Sequence, residues 1–358
     1  MGGHLNAALP PGLASLADHE RHAATVLDPH ARAYLDDVAG DGATHHANLL
    51  AWGGFRLWPR VLAPLHPSTT GVTLLGRALA HPILLAPVAN QKLFHPDGEL
   101  ASAVAASAQQ AGYVLSTLSN VPLEAVAAAI RADADRGPLW FQLSIQADRA
   151  LTLDLVRRAE AAGYEAIVFT VDAPVRRAGF RLPAGVFAAN LPPQAHQPQP
   201  LAALREQAPT WDDVEWLRAR THLPVVLKGV LHPLDARQAL TAGVHALVVS
   251  NHGGRTLDGA PASAHALLRI RDAVGSSLPL LVDGGIRRGT DVLKALAAGA
   301  SAVLIGRPAA WGLANAGPLG VAHVVRLLRD ELDAAMALCG LQSLQALPED
   351  LLEICRHA

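Results

Sequence analysis

The stretch Ala159-Glu-Ala-Ala-Gly-Tyr-Glu-Ala-Ile-Val-Phe169 joins the end of a predicted helix to a short apolar run through one glycine. The same phrase recurs as Ala-Leu-Thr-Ala-Gly-Val-His-Ala-Leu-Val-Val at 239–249 and as Ala-Leu-Ala-Ala-Gly-Ala-Ser-Ala-Val-Leu-Ile at 295–305. A glycine just beyond a helix takes the left-handed conformation that ends it. A continuous apolar run is typical of a parallel strand that helices cover on both faces. The repeat therefore predicts successive helix–strand units of an α/β fold.

Eight apolar runs of this kind follow one another along the chain, and segments of helical period separate most of them. The predicted strands are 82–88, 113–117, 140–145, 166–171, 224–229, 246–251, 279–284 and 302–306, and the clearest helices are 98–111, 123–134, 151–162, 233–242 and 290–298. Eight such units in this length favour a (β/α)8 TIM barrel. A doubly wound sheet is less favoured, because no Gly-x-Gly-x-x-Gly opens a helix after the first strand.

Two segments lie outside the eight units. Residues 1–80 are expected to form an N-terminal helical cap, and the proline-rich residues 184–210 are expected to form a lid-like loop between the fourth and fifth barrel strands. An amphipathic helix is expected at 321–336, with its apolar stripe packed on the barrel. All 358 residues are then expected to form one domain.

Composition excludes several classes of protein. The 29 Lys and Arg residues nearly balance the 31 Asp and Glu residues, which disfavours a nucleic-acid binder. Two cysteines are too few for a disulfide framework or a multi-cysteine metal site, so we expect no metal and a reducing compartment. With no readable secretion signal and no apolar run long enough to span a membrane, the expected location is the cytoplasm.

Polar residues end nearly all of the predicted strands. In a barrel of this kind the active site forms at the carboxyl ends of the strands, so these residues are expected to converge there. They are Ser116, Gln142, Thr170, Asp172, Lys228, Ser250, Asn251, His252, Arg255, Asp283, Arg287 and Arg307.

The last two strands end in a pattern suited to phosphate. Gly284, Gly285 and Arg287 follow the seventh strand, and Gly306 and Arg307 follow the eighth, where such barrels hold phosphate through backbone amides and arginines. The alternative is a tight turn with solvated arginines. The two loops point to one place, which favours the phosphate site.

A second group suggests acid–base chemistry. Two glycines between His252 and Arg255 let both side chains face one cavity, where the imidazole can accept a proton and the guanidinium can hold a carboxylate. Asp172 is placed to orient and stabilise the protonated imidazole. Lys228 ends an apolar strand, so it either neutralises an anionic cofactor ring or pairs with a structural carboxylate.

Taken in order, these motifs resemble those of the FMN-dependent 2-hydroxy acid oxidase and dehydrogenase family, which includes glycolate oxidase, lactate oxidase and mandelate dehydrogenase. The resemblance runs from about Tyr34 to Leu344. It rests on Lys-Gly-Val at 228–230, Ser-Asn-His-Gly-Gly-Arg-Thr-Leu-Asp at 250–258, Asp-Gly-Gly-Ile-Arg-Arg-Gly-Thr-Asp at 283–291 and Ile-Gly-Arg-Pro at 305–308.

The resemblance implies bound FMN and a role for each matching residue. His252 would be the base, Asp172 its partner, and Lys228 the group that stabilises the reduced flavin. Tyr34 and Arg255 would bind the substrate. The flavin would be held by Pro87, Val88, Ala89, Ser116, Gln142, Thr170, Lys228, Ser250, Asp283, Gly284, Gly285, Arg287, Gly306 and Arg307.

Three departures from the family pattern stand out. Ser144 replaces a tyrosine that contacts the substrate in the family, which predicts a larger pocket. The segment after Pro174 is several residues short, so Arg176 and Arg177 are the candidates for a second carboxylate-binding arginine. The N-terminal Gly-Ala signature is altered at 38–39, where Val-Ala stands instead.

The predicted function is FMN-dependent oxidation of a 2-hydroxy acid, bulky or aromatic and mandelate-like, to the 2-oxo acid. The alternatives are an FMN barrel with drifted chemistry, such as an isomerase or a modifier of a larger metabolite or peptide, and a catalytically inactive flavin-binding protein. The oxidant is expected to be oxygen or an electron carrier. The resemblance also implies a homo-oligomer, a tetramer in the family.

Overall fold

The computed structural model describes residues 8–175, 182–183, 185–192 and 200–355. Within these ranges the strands are β1 (Phe55–Leu57), β2 (Val72–Leu74), β3 (Arg77–Leu79), β4 (Ile83–Leu85), β5 (Gly112–Ser116), β6 (Leu139–Leu143), β7 (Ile167–Thr170), β8 (Val225–Val230), β9 (Ala246–Val249), β10 (Leu280–Val282), β11 (Ala302–Ile305) and β12 (Leu352–Ile354). Strands β4 to β11 form a closed barrel in which β11 pairs with β4. The barrel pairs are all parallel, and each predicted barrel strand overlaps an observed one. The predicted (β/α)8 TIM barrel is confirmed.

Helices surround the barrel and precede it. They are α1 (Leu16–Val26), α2 (Pro29–Asp36), α3 (Ala43–Ala51), α4 (Gly98–Ala108), α5 (Leu123–Ile130), α6 (Arg149–Ala162), α7 (Leu201–Glu206), α8 (Trp211–Arg218), α9 (Pro233–Thr241), α10 (Ser263–Val274), α11 (Gly289–Ala297) and α12 (Arg307–Leu338). In the described part of the chain, no helix combines the length and the apolar character needed to cross a membrane.

The repeated helix–glycine–strand phrase folds as the sequence predicts. Gly163, Gly243 and Gly299 have φ angles of 89°, 69° and 106°, a region that side chains other than glycine rarely adopt. Each follows a helix and precedes a barrel strand by a few residues. The glycine therefore ends one unit and turns the chain into the next.

Aliphatic side chains fill the barrel, and a hairpin closes one end of it. Strands β2 and β3 pair antiparallel, and Leu74 and Leu79 of this hairpin belong to the same buried cluster as interior residues such as Leu84, Val114 and Val248. The interior is therefore a packed core, and the polar chemistry is confined to the opposite end of the strands.

Helix α12 ties the N-terminal segment to the barrel. Its backbone is non-helical at Ala316 and Gly317, so it consists of two helices across a kink. The predicted apolar stripe, exemplified by Val321, Leu328 and Leu332, is buried in the core and packs as expected. Both α1 and α4 contact α12, and β1 pairs antiparallel with β12.

The described parts of the insertion between β7 and β8 are more regular than its composition predicts. Helix α7 occupies 201–206, inside the segment expected to be an irregular loop. At 185–192, Asn190 is buried, accepts a hydrogen bond from Leu123 N at 2.9 Å and donates one to Ser119 Oγ at 2.8 Å. This part of the insertion is therefore fixed to the loop after β5.

One buried histidine at the start of the barrel makes stability depend on pH. His81 lies next to β4, where its Nε2 contacts the Gln109 carbonyl oxygen at 2.8 Å and its Nδ1 accepts from Ile83 N at 3.3 Å. Both nitrogens are used in the neutral ring, so a proton on Nδ1 would break the second bond. Burial lowers the pKa of His81 from its ordinary 6.5 to about 4.

We predict that acid removes this contribution to stability. The unfolded chain binds the proton at higher pH than the folded chain, so the stabilisation is present above pH 6.5 and is lost as the pH falls to about 4, by at most about 3 kcal/mol. Urea unfolding of His81→Gln between pH 7.5 and 4.5 should show a flatter pH dependence than that of the wild type. His30→Gln, at an exposed position, is the control. Equal slopes for His81→Gln and the wild type would contradict the prediction.

Candidate active site

Four predicted site residues lie side by side at the carboxyl ends of adjacent strands. Ser116 of β5 is opposite Gln142 of β6, and Thr170 of β7 is opposite Lys228 of β8. Ser116 Oγ donates to Gln142 Oε1 at 3.2 Å, and Thr117 N donates to the same oxygen at 3.2 Å. The register of the barrel thus brings together residues up to 112 positions apart in sequence.

Lys228 carries a buried positive charge between two carboxylates. Its side chain is 4% exposed, and Nζ lies 3.1 Å from Asp283 Oδ2 and donates to Ser250 Oγ at 2.9 Å. Burial alone would lower the pKa of this lysine, but Asp283 and Asp172 raise it above its usual value. The ammonium is therefore charged in the folded protein, and it pairs with a carboxylate, which is one of the two roles left open by the sequence.

His252 and Asp172 form a pair at the edge of the same group. His252 Nδ1 lies 3.0 Å from Asp172 Oδ1, and the imidazole is 27% exposed whereas the carboxylate is 8% exposed. Burial would raise the pKa of Asp172, but the hydrogen bond and charge of His252, together with Lys228, lower it. Asp172 is therefore ionised and stabilises a proton on Nδ1 of the imidazole. Nε2 lies on the opposite edge of the ring, away from Asp172.

Backbone geometry makes this pair possible. Gly229 has a φ of 110°, and a Cβ there would lie 2.4 Å from Asp172 Cβ. His252 itself has a φ of 57°, in the left-handed region, and its backbone N–H donates to Ser250 Oγ at 3.1 Å. Strain at a non-glycine residue of this kind concentrates at functional sites.

Two of the predicted anion-binding arginines, Arg255 and Arg307, meet at the end of α2. Arg255 donates to the Leu35 and Asp37 carbonyl oxygens through Nη1, at 3.3 and 3.1 Å. Arg307 donates to the same two carbonyls, at 3.0 and 2.9 Å. Burial, together with Arg255 and Arg287, lowers the pKa of Arg307 to about 10. This end of the barrel therefore concentrates positive charge.

Arg287 lies close to this group. Its guanidinium stacks over the Trp311 ring, with 4.8 Å from Cζ to the ring centroid, and burial lowers its pKa. A histidine that the sequence reasoning missed, His45 of α3, packs against the loop after β9, where a Cβ on Gly254 would lie 2.6 Å from its backbone N. Burial and then Arg307 and Arg287 lower the pKa of His45 to about 4. Nothing in the helical context of His45 distinguishes it from the other histidines of the chain.

The N-terminal helices contribute directly to the site through α3. The side chains of Asn48 and Asn251 exchange two hydrogen bonds of 2.8 Å, and Trp52 Nε1 donates to the Gly284 carbonyl oxygen at 2.9 Å. Asp258 accepts from Thr44 N at 2.9 Å near the start of α3. The sequence motifs assigned no role to Asn48, Trp52 or Thr44.

The remaining predicted residues lie as follows. Tyr34 is on α2, with Arg255 over its ring at 5.3 Å and Asn90 Nδ2 at 3.5 Å from its hydroxyl. Pro87, Val88 and Ala89 follow β4, and the Val88 carbonyl accepts from Gln91 Nε2 at 3.0 Å. Gly306 directly precedes α12. The predicted substrate arginines Arg176 and Arg177 lie outside the described residues.

Ser144 occupies the position where the sequence departs from the family phrase. Its Oγ accepts from Gln142 Nε2 at 3.0 Å, and its carbonyl accepts from Gln146 Nε2 at 2.7 Å. The serine therefore helps to orient the Gln142 amide.

The arrangement suits a phosphorylated ligand with hydroxyl groups. Arg287 and Arg307 supply positive charge, and Gly284 and Gly285, with φ angles of 93° and 82°, keep the backbone open beside Asn48. Among the described residues, the buried Asp283 Oδ1 has no hydrogen-bond partner, and a ligand hydroxyl would supply one. These features fit the phosphate and ribityl chain of FMN. The described residues contain no group of three or more His, Cys, Asp or Glu side chains placed to hold a metal ion.

Comparison with known proteins agrees with this fit. The family model of FMN-dependent dehydrogenases matches residues 23–354. L-lactate oxidase of Alicycliphilus denitrificans is 48% identical over 362 residues, which cover 96% of this chain and 97% of that protein. 4-Hydroxymandelate oxidase of Amycolatopsis orientalis is 48% identical over 348 residues, covering 93% and 96%. A crystal structure of mandelate oxidase with (S)-4-hydroxymandelic acid has a TM-score of 0.85 at 46% identity, covering 95% and 98%.

The chain thus belongs to the family of FMN-dependent dehydrogenases. Its cofactor is FMN, and it is an enzyme of the FMN-dependent 2-hydroxy acid oxidase class. The predictions of family, fold, cofactor and class of reaction are confirmed.

We predict that the buried Lys228–Asp283 pair is strongly coupled. Lys228→Met leaves a buried carboxylate unpaired and should lower the free energy of unfolding by about 3–5 kcal/mol, and adding Asp283→Asn should recover part of the loss. Urea unfolding of both variants, with the FMN concentration held fixed, measures the coupling. Arg326→Met, which breaks an exposed pair with Asp330, should change stability by less than about 1 kcal/mol. If Lys228→Met lowers the free energy of unfolding no more than Arg326→Met does, the Lys228–Asp283 pair is not strongly coupled.

Proposed function

We propose that the protein oxidises the α-carbon of a bulky or aromatic 2-hydroxy acid, such as mandelate, to the 2-oxo acid. The observation that carries the proposal is the His252–Asp172 pair, with 3.0 Å between Nδ1 and Oδ1, beside the buried Lys228. A base, its carboxylate partner and a buried cation are the groups that this oxidation needs.

Each residue has a distinct role in the proposal. Asp172 holds the proton on His252 Nδ1, so Nε2 is the nitrogen that accepts a proton from the substrate. The positive charge that develops on the imidazole is stabilised by the ionised Asp172. Arg255 holds the substrate carboxylate, and Tyr34 lies beside it.

Bound FMN would supply the two-electron acceptor for this oxidation. Lys228 supplies a positive charge that favours an anionic reduced ring, because its own carboxylate partners keep it protonated. The remaining contacts to FMN come from Ser116, Gln142, Thr170, Ser250, Asp283, Arg287 and Arg307 and from the backbone of 87–89, 284–285 and 306.

A bulky substrate is supported by the small residue at the strand end. Ser144 stands where the family phrase has a tyrosine, and relatives named for hydroxymandelate and mandelate match most of the chain. Other relatives are named L-lactate oxidase, so the two substrate sizes are the alternatives that an experiment must separate. The drifted-chemistry alternative is not favoured, because no observation singles out a different reaction.

Relatives named as oxidases support oxygen as the oxidant, with an electron carrier as the alternative.

A tetramer or other homo-oligomer is supported by the exposed apolar side chains of Trp58, Val61, Leu62 and Leu65. The cap, barrel and lid-like loop are proposed to form one FMN-binding domain. A cytoplasmic location rests on the two free cysteines, Cys339 and Cys355.

We predict that His252→Asn and Asp172→Asn slow substrate oxidation without abolishing flavin binding. Loss of a general base typically costs about 10²- to 10⁴-fold in rate. Anaerobic reduction of bound FMN by mandelate, followed at about 450 nm by stopped flow, measures the step directly. His222→Asn, a change at an exposed histidine, should leave the rate unchanged. Wild-type rates in His252→Asn would exclude His252 as the base.

Substrate size is tested separately at Ser144. The wild type should turn over mandelate better than glycolate or lactate, and Ser144→Tyr should reduce the ratio of kcat/KM for mandelate to that for glycolate by roughly tenfold, because a filled pocket rejects bulk. Ser144→Ala removes the bond from Gln142 while keeping the space, so it should preserve the ranking. A wild type that prefers glycolate or lactate over mandelate would refute the bulky-substrate proposal.

A further inference from the structure

The guanidinium of Arg255 already holds a carboxylate of the protein itself. Arg255 Nη2 lies 3.2 Å from Asp37 Oδ2, just beyond the end of α2. The arginine side chain is 13% exposed and the aspartate side chain 48% exposed. In the proposed function the same guanidinium binds the substrate carboxylate, so Asp37 supplies the chemical group that the substrate brings.

The contacts of Arg255 separate into two kinds. Three neutral carbonyl oxygens, those of Tyr34, Leu35 and Asp37, accept from it at 3.0, 3.3 and 3.1 Å. They belong to the backbone, so substitution of the Asp37 side chain leaves them in place. The Asp37 carboxylate adds the charged contact. The backbone carbonyls therefore hold the Arg255 guanidinium in position, and the Asp37 carboxylate compensates its charge.

We propose that Asp37 is an internal competitor for the substrate carboxylate, which occupies Arg255 in the free enzyme and so sets the affinity for the 2-hydroxy acid. The inference rests on the proposed function, in which Arg255 is the anchor. Binding then exchanges one carboxylate for another at a single guanidinium. An arginine pairs with a carboxylate most strongly through two parallel hydrogen bonds, and Asp37 must release its contact before the substrate makes both.

The competitor acts on binding and not on the chemical step. Once substrate is bound, Asp37 has left Arg255, so its removal should lower KM and leave kcat nearly unchanged. A pair that is half exposed on one side contributes modestly, so the expected gain in affinity is about two- to fivefold. If instead Asp37 served to position Arg255, its removal would weaken binding, and the sign of the effect distinguishes the two roles.

The chain provides a matched control in the adjacent residue. Asp36 pairs with Arg32, with 3.3 Å between Oδ2 and Nε, and both Asp36 and Asp37 act electrostatically on Arg307. Asp36→Asn therefore makes the same change of charge near the site without touching the Arg255 pair. Any general electrostatic effect on FMN or substrate appears in both variants, and competition appears in Asp37→Asn alone.

The experiment titrates the FMN-loaded protein with oxalate, a carboxylate that has no α-hydrogen to lose, and follows the perturbation of the flavin absorbance. Asp37→Asn should lower the Kd for oxalate and the KM for mandelate by about two- to fivefold relative to the wild type and Asp36→Asn, with kcat within about twofold. Asp37→Ser also removes the charge and should give the same Kd and KM as Asp37→Asn. Agreement between the two variants shows that the effect does not come from hydrogen bonds of the asparagine amide. An unchanged or raised Kd in Asp37→Asn overturns the inference.

The same measurements separate this inference from the proposed function. If mandelate, lactate and glycolate fail to reduce the wild-type flavin while oxalate still binds more tightly to Asp37→Asn, the proposed function is wrong and the competition stands. If the wild type oxidises a 2-hydroxy acid but Asp37→Asn matches Asp36→Asn, the competition alone is wrong.

Discussion

The active end of the barrel depends on one constraint, the burial of the Lys228 ammonium. A charge that is only 4% exposed must be compensated nearby, and Asp283 at 3.1 Å does this. Asp172 adds a second negative charge and in turn pairs with His252. Four residues from the ends of β7, β8, β9 and β10 thus form one electrostatic unit. A shift of any one strand would leave a buried charge uncompensated, so the barrel and the site are stabilised together.

The N-terminal helices complete this unit. Asn48 and Trp52 bond to the loops after β9 and β10, and the carbonyl end of α2 holds both Arg255 and Arg307. The barrel alone supplies His252 and Lys228, whereas the cap determines what Arg255 and Arg307 contact. In the proposed function, substrate affinity is thereby placed under the control of a segment outside the eight repeated units.

Much of this was predictable because the relevant signals are local. The helix–glycine–strand phrase predicts the barrel, and the polar residue at the end of each apolar run predicts its active end. The contacts of Arg255 were not predictable, since they depend on how α2 approaches a loop more than 200 residues away in sequence. His45 shows the same limit, because burial, Arg307 and Arg287 lower its pKa more than its helical neighbour His46 does. Helix α7 was missed because proline-rich flanks obscure a helix of six residues.

The pairing of β1 with β12 joins residues 55–57 to residues 352–354, about 300 positions further along the chain. During synthesis the first of these strands leaves the ribosome long before its partner exists. The barrel likewise cannot close until β11 reaches β4. Strand β1, and helix α1 that contacts α12, can therefore complete their tertiary contacts only after most of the chain has been made, and such long-range topology folds slowly and leaves intermediates open to aggregation.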